Sequence, residues 1–167
     1  MKSIAVAAIA MSSAFAQDPV SADTKSLFEI AKMYITKSAA KIPEEMYSYR
    51  PTPEVRSVAE LFGHIAEAQY MFCSPVKGEP APKVKIEKVK TGKEELSAAL
   101  KEAFEYCDAT YGKMTDAQMA DKVKFFNRDR TKSFVMNMNS MHNYEHYGNL
   151  VTYMRLKNIV PPSSEGR

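Results

Sequence analysis

Apolar residues recur every three or four positions in four separate segments, which is the period of one face of an α-helix. The pattern predicts helices over residues 21–40, 58–72, 93–114 and 131–157. The inward positions of the first helix are predicted to be Leu27, Ile30, Ala31, Tyr34, Ile35 and Ala39. Those of the second are Val58, Leu61, Ile65, Ala68 and Phe72. With no convincing sheet and no internal repeat, the sequence predicts an all-α fold, a four-helix bundle.

The connections between these helices are marked by capping and turn residues. Ser57 followed three residues later by Glu60 forms a capping box, which predicts the start of the second helix. Pro75–Gly92 is rich in proline and glycine, and it predicts a long surface loop with a local extended piece over Val84–Val89. The segment Asn127–Arg130 is predicted to be a polar connector before the last helix.

The fourth helix carries two histidines within its predicted inward face. At 100° per residue, seven side chains fall within a sector about 80° wide. They are Val135, Met138, His142, His146, Asn149, Tyr153 and Leu156. A buried imidazole needs a partner for its ring nitrogens, so this position calls for a ligand or a hydrogen bond.

The N-terminus has the pattern of a secretory signal peptide. Lys2 precedes the apolar run Ile4–Met11, and small residues follow, so we predict a signal peptide over residues 1–16 that is cleaved after Ala16. The run is too short to span a bilayer, which takes about 20 residues, so no membrane anchor is expected. Residues 17–167 then form a single domain, exported to the periplasm or secreted.

The charge of the chain argues against a nucleic-acid partner. The formal net charge is +3, and removal of Lys2 with the signal peptide leaves +2. Six lysines lie between Lys77 and Lys93, but prolines and glycines separate them and no aromatic platform for bases accompanies them. This cluster is therefore interpreted as a solvated loop.

Cys73 and Cys107 are the only cysteines in the sequence. In an oxidising compartment they can form a disulfide, and two buried free thiols explain them equally well. The sequence alone leaves both alternatives open. Metal ligation by Cys73 is disfavoured, because on a helix it lies about 180° around from His64.

The sequence contains three histidines, His64, His142 and His146. His142 and His146 are four residues apart, which places both on one helix face, and His64 lies at the edge of the apolar stripe of the second helix. Three neutral imidazoles around one divalent ion, with positions left for water or substrate, are typical of catalytic metal sites. The alternative is a buried, hydrogen-bonded trio, for which the apolar stripes supply few partners.

The segment from His142 to His146 also matches the H-x-x-E-H signature of inverted zinc peptidases. We reject this interpretation because such enzymes need a further acidic ligand well downstream in a larger α/β domain. Only 21 residues follow His146.

Five segments carry a resemblance to a known family. They are Arg50–Pro53, Ser57–Ala66, His142–Asn149, Tyr153–Arg155 and Pro161-Pro162. Together they resemble the connector, the second helix and the final helix of the DinB/YfiT-like metal-dependent proteins, and the resemblance extends over nearly the whole mature chain. At Asn149 the family usually has a glutamine.

The resemblance implies an up-up-down-down bundle in which His64, His142 and His146 hold one divalent transition-metal ion. All-histidine ligation suits zinc or nickel first, with iron and copper as alternatives. Characterised relatives include metal-dependent enzymes that act on low-molecular-weight thiols, and the family also suggests a homodimer. Because such thiols are cytoplasmic cofactors, the predicted export argues against simply carrying that activity over.

Two functional hypotheses remain open. In the first, the chain is a metal-dependent hydrolase or thiol transferase with a small-molecule substrate of unknown identity, and the ion lowers the pKa of a bound water or thiol. Glu145 and Glu67 are then the candidate catalytic carboxylates, while Glu60 is also explained as a helix cap. In the second, the chain is a non-catalytic metal-binding or stress-associated bundle. A pocket that reaches the ion would favour an enzyme.

Overall fold

The computed structural model describes residues 18–166, so the predicted signal peptide and its cleavage after Ala16 lie outside the described residues. Within this range the chain forms six α-helices and one two-stranded sheet. The helices are α1 (Pro19–Lys41), α2 (Val58–Lys77), α3 (Ile86–Val89), α4 (Lys93–Tyr111), α5 (Asp116–Met119) and α6 (Lys132–Leu156). The strands are β1 (Lys122–Phe125) and β2 (Arg128–Thr131), and 3-10 turns lie at Glu44–Met46 and Pro162–Ser164.

The four long helices pack as a closed ring, which confirms the predicted all-α four-helix bundle. α1 packs on α4 and α6, and α2 packs on the same two helices. The largest fully buried side chains fill the space between them, and they include Phe28, Ile35, Phe62, Ile65, Leu100, Phe104 and Leu150. None of the helices in residues 18–166 is long and apolar enough to cross a membrane.

Contacts of α1 fix the directions of its two neighbours. Lys93 at the start of α4 donates a hydrogen bond to the Ile42 carbonyl beyond the end of α1, while Lys32 pairs with Asp108 farther along, so α1 and α4 run antiparallel. The ring of Tyr34 stacks on Tyr147 of α6 with centroids 5.0 Å apart. Lys41 at the end of α1 pairs with Glu165 beyond the end of α6, which makes α1 and α6 parallel.

α2 runs antiparallel to α6. The Tyr153 hydroxyl near the end of α6 donates to the Arg56 carbonyl just before α2, at 2.9 Å. Farther along, Asn139 on α6 lies beside Cys73 of α2. In chain order the directions are therefore up-down-down-up, which differs from the up-up-down-down order that the resemblance implied. The reason is that residues 42–57 turn back, and the Tyr49 carbonyl accepts from the Val58 amide where α2 begins.

The parallel arrangement of α2 and α4 requires a crossover. α2 ends at Lys77, where Gly78 adopts φ 77° and closes the helix in the left-handed region. The segment 78–92 must then return along the bundle to the end at which α4 starts. On its way it forms α3, which packs on α2. The predicted extended piece over Val84–Val89 is therefore wrong, because this stretch contains a helical turn instead.

Two further differences concern the last part of the chain. The polar connector before α6 contains an antiparallel hairpin, in which Val123 pairs with Arg130. Its turn residues Phe126 and Asn127 both have positive φ, at 46° and 60°. This is the conformation of two-residue hairpin turns, but the sequence lacks the Asn-Gly or Asp-Gly pair that usually signals one.

The buried face of α6 is rotated relative to the predicted one. Three of the predicted inward residues, Val135, His146 and Tyr153, are buried, whereas Asn149 and Leu156 are exposed. The other buried side chains lie to one side of the predicted face, and they are Met136, Asn139, Ser140, Asn143, Tyr147, Leu150 and Met154. Likewise Leu27 and Ile30 of α1 are exposed, and Phe28 takes the inward position. Two amides of α6, Asn139 and Asn143, form part of the interior, so apolar residues alone did not define the inward face.

Cys73 and Cys107 form a disulfide between α2 and α4. Of the two alternatives that the sequence left open, the disulfide is therefore correct and the pair of free thiols is not. A buried amide chain lies beside it. Gln69 donates to the Asn143 side-chain oxygen at 2.8 Å, and Asn139 donates to the Gln69 oxygen at 3.1 Å. Each amide has a partner, so the interior tolerates these polar groups.

Candidate metal centre

The three histidines come from the antiparallel helices α2 and α6. His64 lies in the second turn of α2, whose start is fixed by the predicted capping box of Ser57 and Glu60. His142 and His146 lie one turn apart on α6. Because α2 and α6 pack side by side in opposite directions, all three rings reach the same point between them.

The Nε2 atoms of the three rings converge. His142 Nε2 lies 3.1 Å from Nε2 of His64 and 3.1 Å from Nε2 of His146. The three ligand atoms all lie within 4.8 Å of one another. Ligand nitrogens about 2.0–2.1 Å from one ion are separated by roughly 3.0–3.4 Å, so the arrangement fits a single transition-metal ion. The structure thus brings together all three predicted ligands, and the cluster could hold a metal.

Burial favours the neutral form that a metal ligand needs. Burial, reinforced by the neighbouring rings of His146 and His64, lowers the pKa of His142 to about 3. Burial, with the same kind of repulsion from His64, lowers the pKa of His146 to about 4. Both rings therefore keep a free nitrogen lone pair at neutral pH.

Side chains lie beside the outer nitrogens of two of the three histidines, His64 and His146. His64 Nδ1 lies 3.1 Å from Oε2 of Glu87, and His146 Nδ1 lies 3.4 Å from the Asn149 amide nitrogen. The outer nitrogen of His142 is buried and has no hydrogen-bond partner among residues 18–166. The other oxygen of Glu87 accepts from Arg56 Nε at 2.8 Å.

Glu87 is held in its ionised form. Partial burial acts to raise its pKa, but the hydrogen bond and charge of Arg56, together with His64, outweigh burial and lower the pKa. An ionised carboxylate only accepts hydrogen bonds, so the proton of this contact belongs to His64 Nδ1. In the neutral form of His64, this leaves the Nε2 lone pair facing the other two rings.

The two predicted catalytic carboxylates occupy different positions. Oε1 of Glu67 accepts a hydrogen bond from the Glu87 backbone amide at 2.9 Å, so this carboxylate is engaged with α3. Glu145 is exposed and lines a cavity beside His146. Glu60 caps α2 and pairs with Arg50 at 2.9 Å. A catalytic role for Glu67 or Glu145 stays a prediction.

Sequence reasoning missed Glu87, Arg56 and the role of Gly63. The predicted loop gave no periodicity that would place Glu87 near a histidine. Gly63, directly before His64, was the available signal, because glycine inside a helix often marks a close approach of another segment. A Cβ atom there would lie 2.5 Å from the Glu87 Cα.

Cavities border the centre on different sides. His146 lines a polar cavity of about 550 Å³ together with Arg56, Glu145 and Asn149. His64 lines a second cavity of about 290 Å³, whose wall is largely apolar and includes Tyr70, Met71, Pro82 and Val84. A ligand can therefore approach the three histidines from outside the bundle.

The chain is similar to a set of known proteins along most of its length. A sequence model of the DinB superfamily matches residues 27–150. YjoA of Bacillus subtilis (strain 168) is 30% identical over 122 residues, which cover 70% of this chain and 77% of YjoA. The crystal structure of YjoA has a TM-score of 0.71 and 23% identity, covering 87% of this chain and 99% of that one.

Two further solved structures share the fold. A DinB-like protein from Bacillus cereus ATCC 10987 has a TM-score of 0.73 at 17% identity, covering 83% of this chain and 93% of that one. A variant of mycothiol-dependent maleylpyruvate isomerase has a TM-score of 0.63 at 10% identity, covering 78% of this chain and 60% of that one. At these identities the likeness concerns the fold alone.

Proposed function

Since the chain belongs to the DinB superfamily, we propose that it is a metal-dependent enzyme whose single divalent ion is held by His64, His142 and His146. The convergence of the three Nε2 atoms carries this proposal. Zinc or nickel suits three imidazole ligands, and iron(II) or copper are the alternatives. The proposed reactions are hydrolysis or thiol transfer on a small molecule.

The protein residues have separate roles in the proposed chemistry. The bound ion would act as a Lewis acid that lowers the pKa of water or of a thiol at an open coordination position. The two helices hold the ligand nitrogens in a fixed triangle, and burial keeps His142 and His146 neutral. Glu145, which lines the polar cavity, would accept the proton that such a group releases.

The cavities favour an enzyme over the non-catalytic metal-binding bundle. A structural metal site is closed by protein ligands and by packed side chains, whereas a catalytic site keeps a position open to the outside. His64 and His146 both border cavities large enough for small molecules. The DinB-fold neighbour that is named as a thiol-dependent isomerase supports a thiol as one of the activated groups.

Elemental analysis of the untagged protein, purified without chelator, tests the metal site. We expect one equivalent of a transition metal in the parent protein and in Glu102→Ala, a control at an exposed position on α4. We expect none in His64→Ala or His142→Ala, with helical content retained in circular dichroism. Equal metal content in the parent and the histidine variants would refute the proposal.

A second experiment separates an enzyme from a non-catalytic bundle. The protein is loaded with cobalt(II), and a small thiol such as glutathione is added. We expect a thiolate-to-cobalt charge-transfer absorption if a coordination position is open, and no new absorption in His142→Ala. An unchanged spectrum in the loaded parent protein, together with inertness toward ester and amide substrates, would favour the non-catalytic alternative.

We also propose that the protein acts outside the cytoplasm after cleavage near Ala16. The support is the charged and apolar start of the sequence, together with the Cys73–Cys107 disulfide, which suits an oxidising compartment. N-terminal sequencing of the protein from the export fraction tests this. An intact Met1 in the cytoplasmic fraction alone would contradict it.

A further inference from the structure

The crossover segment packs against α2 directly beside a proposed metal ligand. A Cβ atom at Gly63 would lie 2.5 Å from the Cα and 2.8 Å from the backbone nitrogen of Glu87. Any larger residue would hold α3 away from α2. Glycine at this position therefore lets the backbone of Glu87 rest on the turn that carries His64.

Two further contacts fix α3 in this position. Glu67, one turn after Gly63, accepts the Glu87 backbone N–H at 2.9 Å. The side chain of Ile86 is only 7% exposed and joins the hydrophobic core. The Glu87 backbone is thus fixed by a hydrogen bond and by the burial of Ile86, so the Cα atom from which the Glu87 side chain extends has a defined position.

Both oxygens of the Glu87 carboxylate have a defined partner. Oε1 accepts from Arg56 Nε at 2.8 Å, and Oε2 accepts from His64 Nδ1 at 3.1 Å. Arg56 is itself anchored, because its backbone carbonyl accepts the Tyr153 hydroxyl of α6. The carboxylate therefore cannot rotate away from His64 without giving up the ion pair with Arg56.

We propose that Glu87 is the positioning residue of the metal centre: it fixes His64 as the Nδ1–H tautomer and turns its Nε2 lone pair toward His142 and His146. This inference rests on the proposed metal site. It assigns a function to the crossover segment 78–92, which contains none of the three proposed ligands. A carboxylate behind a ligand histidine both orients the ring and makes its free nitrogen more basic.

Zinc affinity, measured by competition with a chromophoric chelator, tests the proposal on the full chain. Loss of such a partner typically weakens metal binding 10- to 100-fold, and we expect a drop of about this size in Glu87→Ala. Glu87→Gln should lose less, because its amide oxygen can still accept the His64 proton. Glu102→Ala removes an exposed carboxylate on α4 and should bind zinc like the parent protein.

The tautomer of His64 supplies a readout that a general loss of stability would not move. In the metal-free protein, ¹⁵N–¹H correlation spectra should show Nδ1 protonated in the parent and in Glu87→Gln. They should show a mixture of tautomers in Glu87→Ala. Zinc affinity of Glu87→Ala within twofold of the parent, or Glu87→Gln as impaired as Glu87→Ala, would overturn the proposal. His64→Ala with parent affinity would instead refute the metal site itself.

Discussion

The contact between α2 and α3 predicts that one substitution has opposite effects at two helical glycines. Gly63 lies inside α2 and Gly148 inside α6. In an exposed helix interior, alanine is more favourable than glycine by about 1 kcal/mol. A Cβ at Gly148 would meet nothing within 4 Å, so Gly148→Ala should raise the free energy of unfolding by about 1 kcal/mol.

At Gly63 the same gain is outweighed. The new methyl group would lie 2.5 Å from the Glu87 Cα, and that neighbour is backbone, so α3 has to move by roughly 1 Å to reach ordinary contact. Overpacking of this kind lowers the free energy of unfolding by about 1–3 kcal/mol. In the variant, the movement of α3 also strains the hydrogen bond from the Glu87 amide to Glu67, which accounts for about 1 kcal/mol more. After subtraction of the helix gain, Gly63→Ala should be destabilised by about 1–3 kcal/mol.

Equilibrium urea unfolding of both metal-free variants measures this difference, with the parent protein as reference. The slope with denaturant should stay the same, and the midpoints should move in opposite directions. Zinc affinity should also fall in Gly63→Ala, because Glu87 is displaced from His64, and stay unchanged in Gly148→Ala. If Gly63→Ala is as stabilising as Gly148→Ala, the described contact between α2 and α3 does not exist.

Three other predictions follow from the structure. Replacing Cys73 and Cys107 by serine should cost roughly 4 kcal/mol in thermal or urea unfolding, because the disulfide closes a loop with sequence separation 34; a loss below about 1 kcal/mol would contradict this. His142 and His146 have folded pKa values of about 3 and about 4, against about 6.5 unfolded, so metal-free stability should fall as the pH drops below about 6.5. Each histidine lowers the free energy of unfolding by up to about 1.4 kcal/mol for each pH unit of acidification. If the dependence of this free energy on pH between about pH 7 and pH 5 is the same in His142→Ala as in the parent, the prediction is refuted. Glu145→Gln should keep full zinc binding and lower turnover about 100-fold or more if Glu145 carries the proton, whereas unchanged turnover would assign it to the solvated surface.

Helical periodicity was sufficient to predict the four long helices, since each buries a face. It misplaced the inward faces where polar side chains are buried or apolar ones exposed. On α6, Asn139 and Asn143 are fully buried through hydrogen bonds with Gln69, a pairing between distant residues that no local pattern reveals. On α1, Leu27 is 47% exposed although it fits the apolar repeat.

The ligands of the candidate site were predictable because histidine is rare in this chain and its spacing is helical. His142 and His146 needed only the helix period, and His64 needed the packing of α2 on α6. Glu87 was not predictable in the same way, since its position depends on the path of a crossover. That path follows from helix direction, which spacing within a helix does not encode.

The topology itself explains why a carboxylate from a loop reaches this centre. With α2 and α4 parallel, the chain has to return along the outside of the bundle after Lys77, and it passes α2 on the way to Lys93. The disulfide joins α2 to α4 two to three turns beyond His64, so it fixes the two helices between which this segment runs. Gly63 then determines how closely the segment approaches. A larger residue at this position would keep the three histidines at their backbone positions on α2 and α6 but move the Glu87 carboxylate away from His64. The placement of the ligand residues and the orientation of the His64 ring are therefore separate properties of the fold.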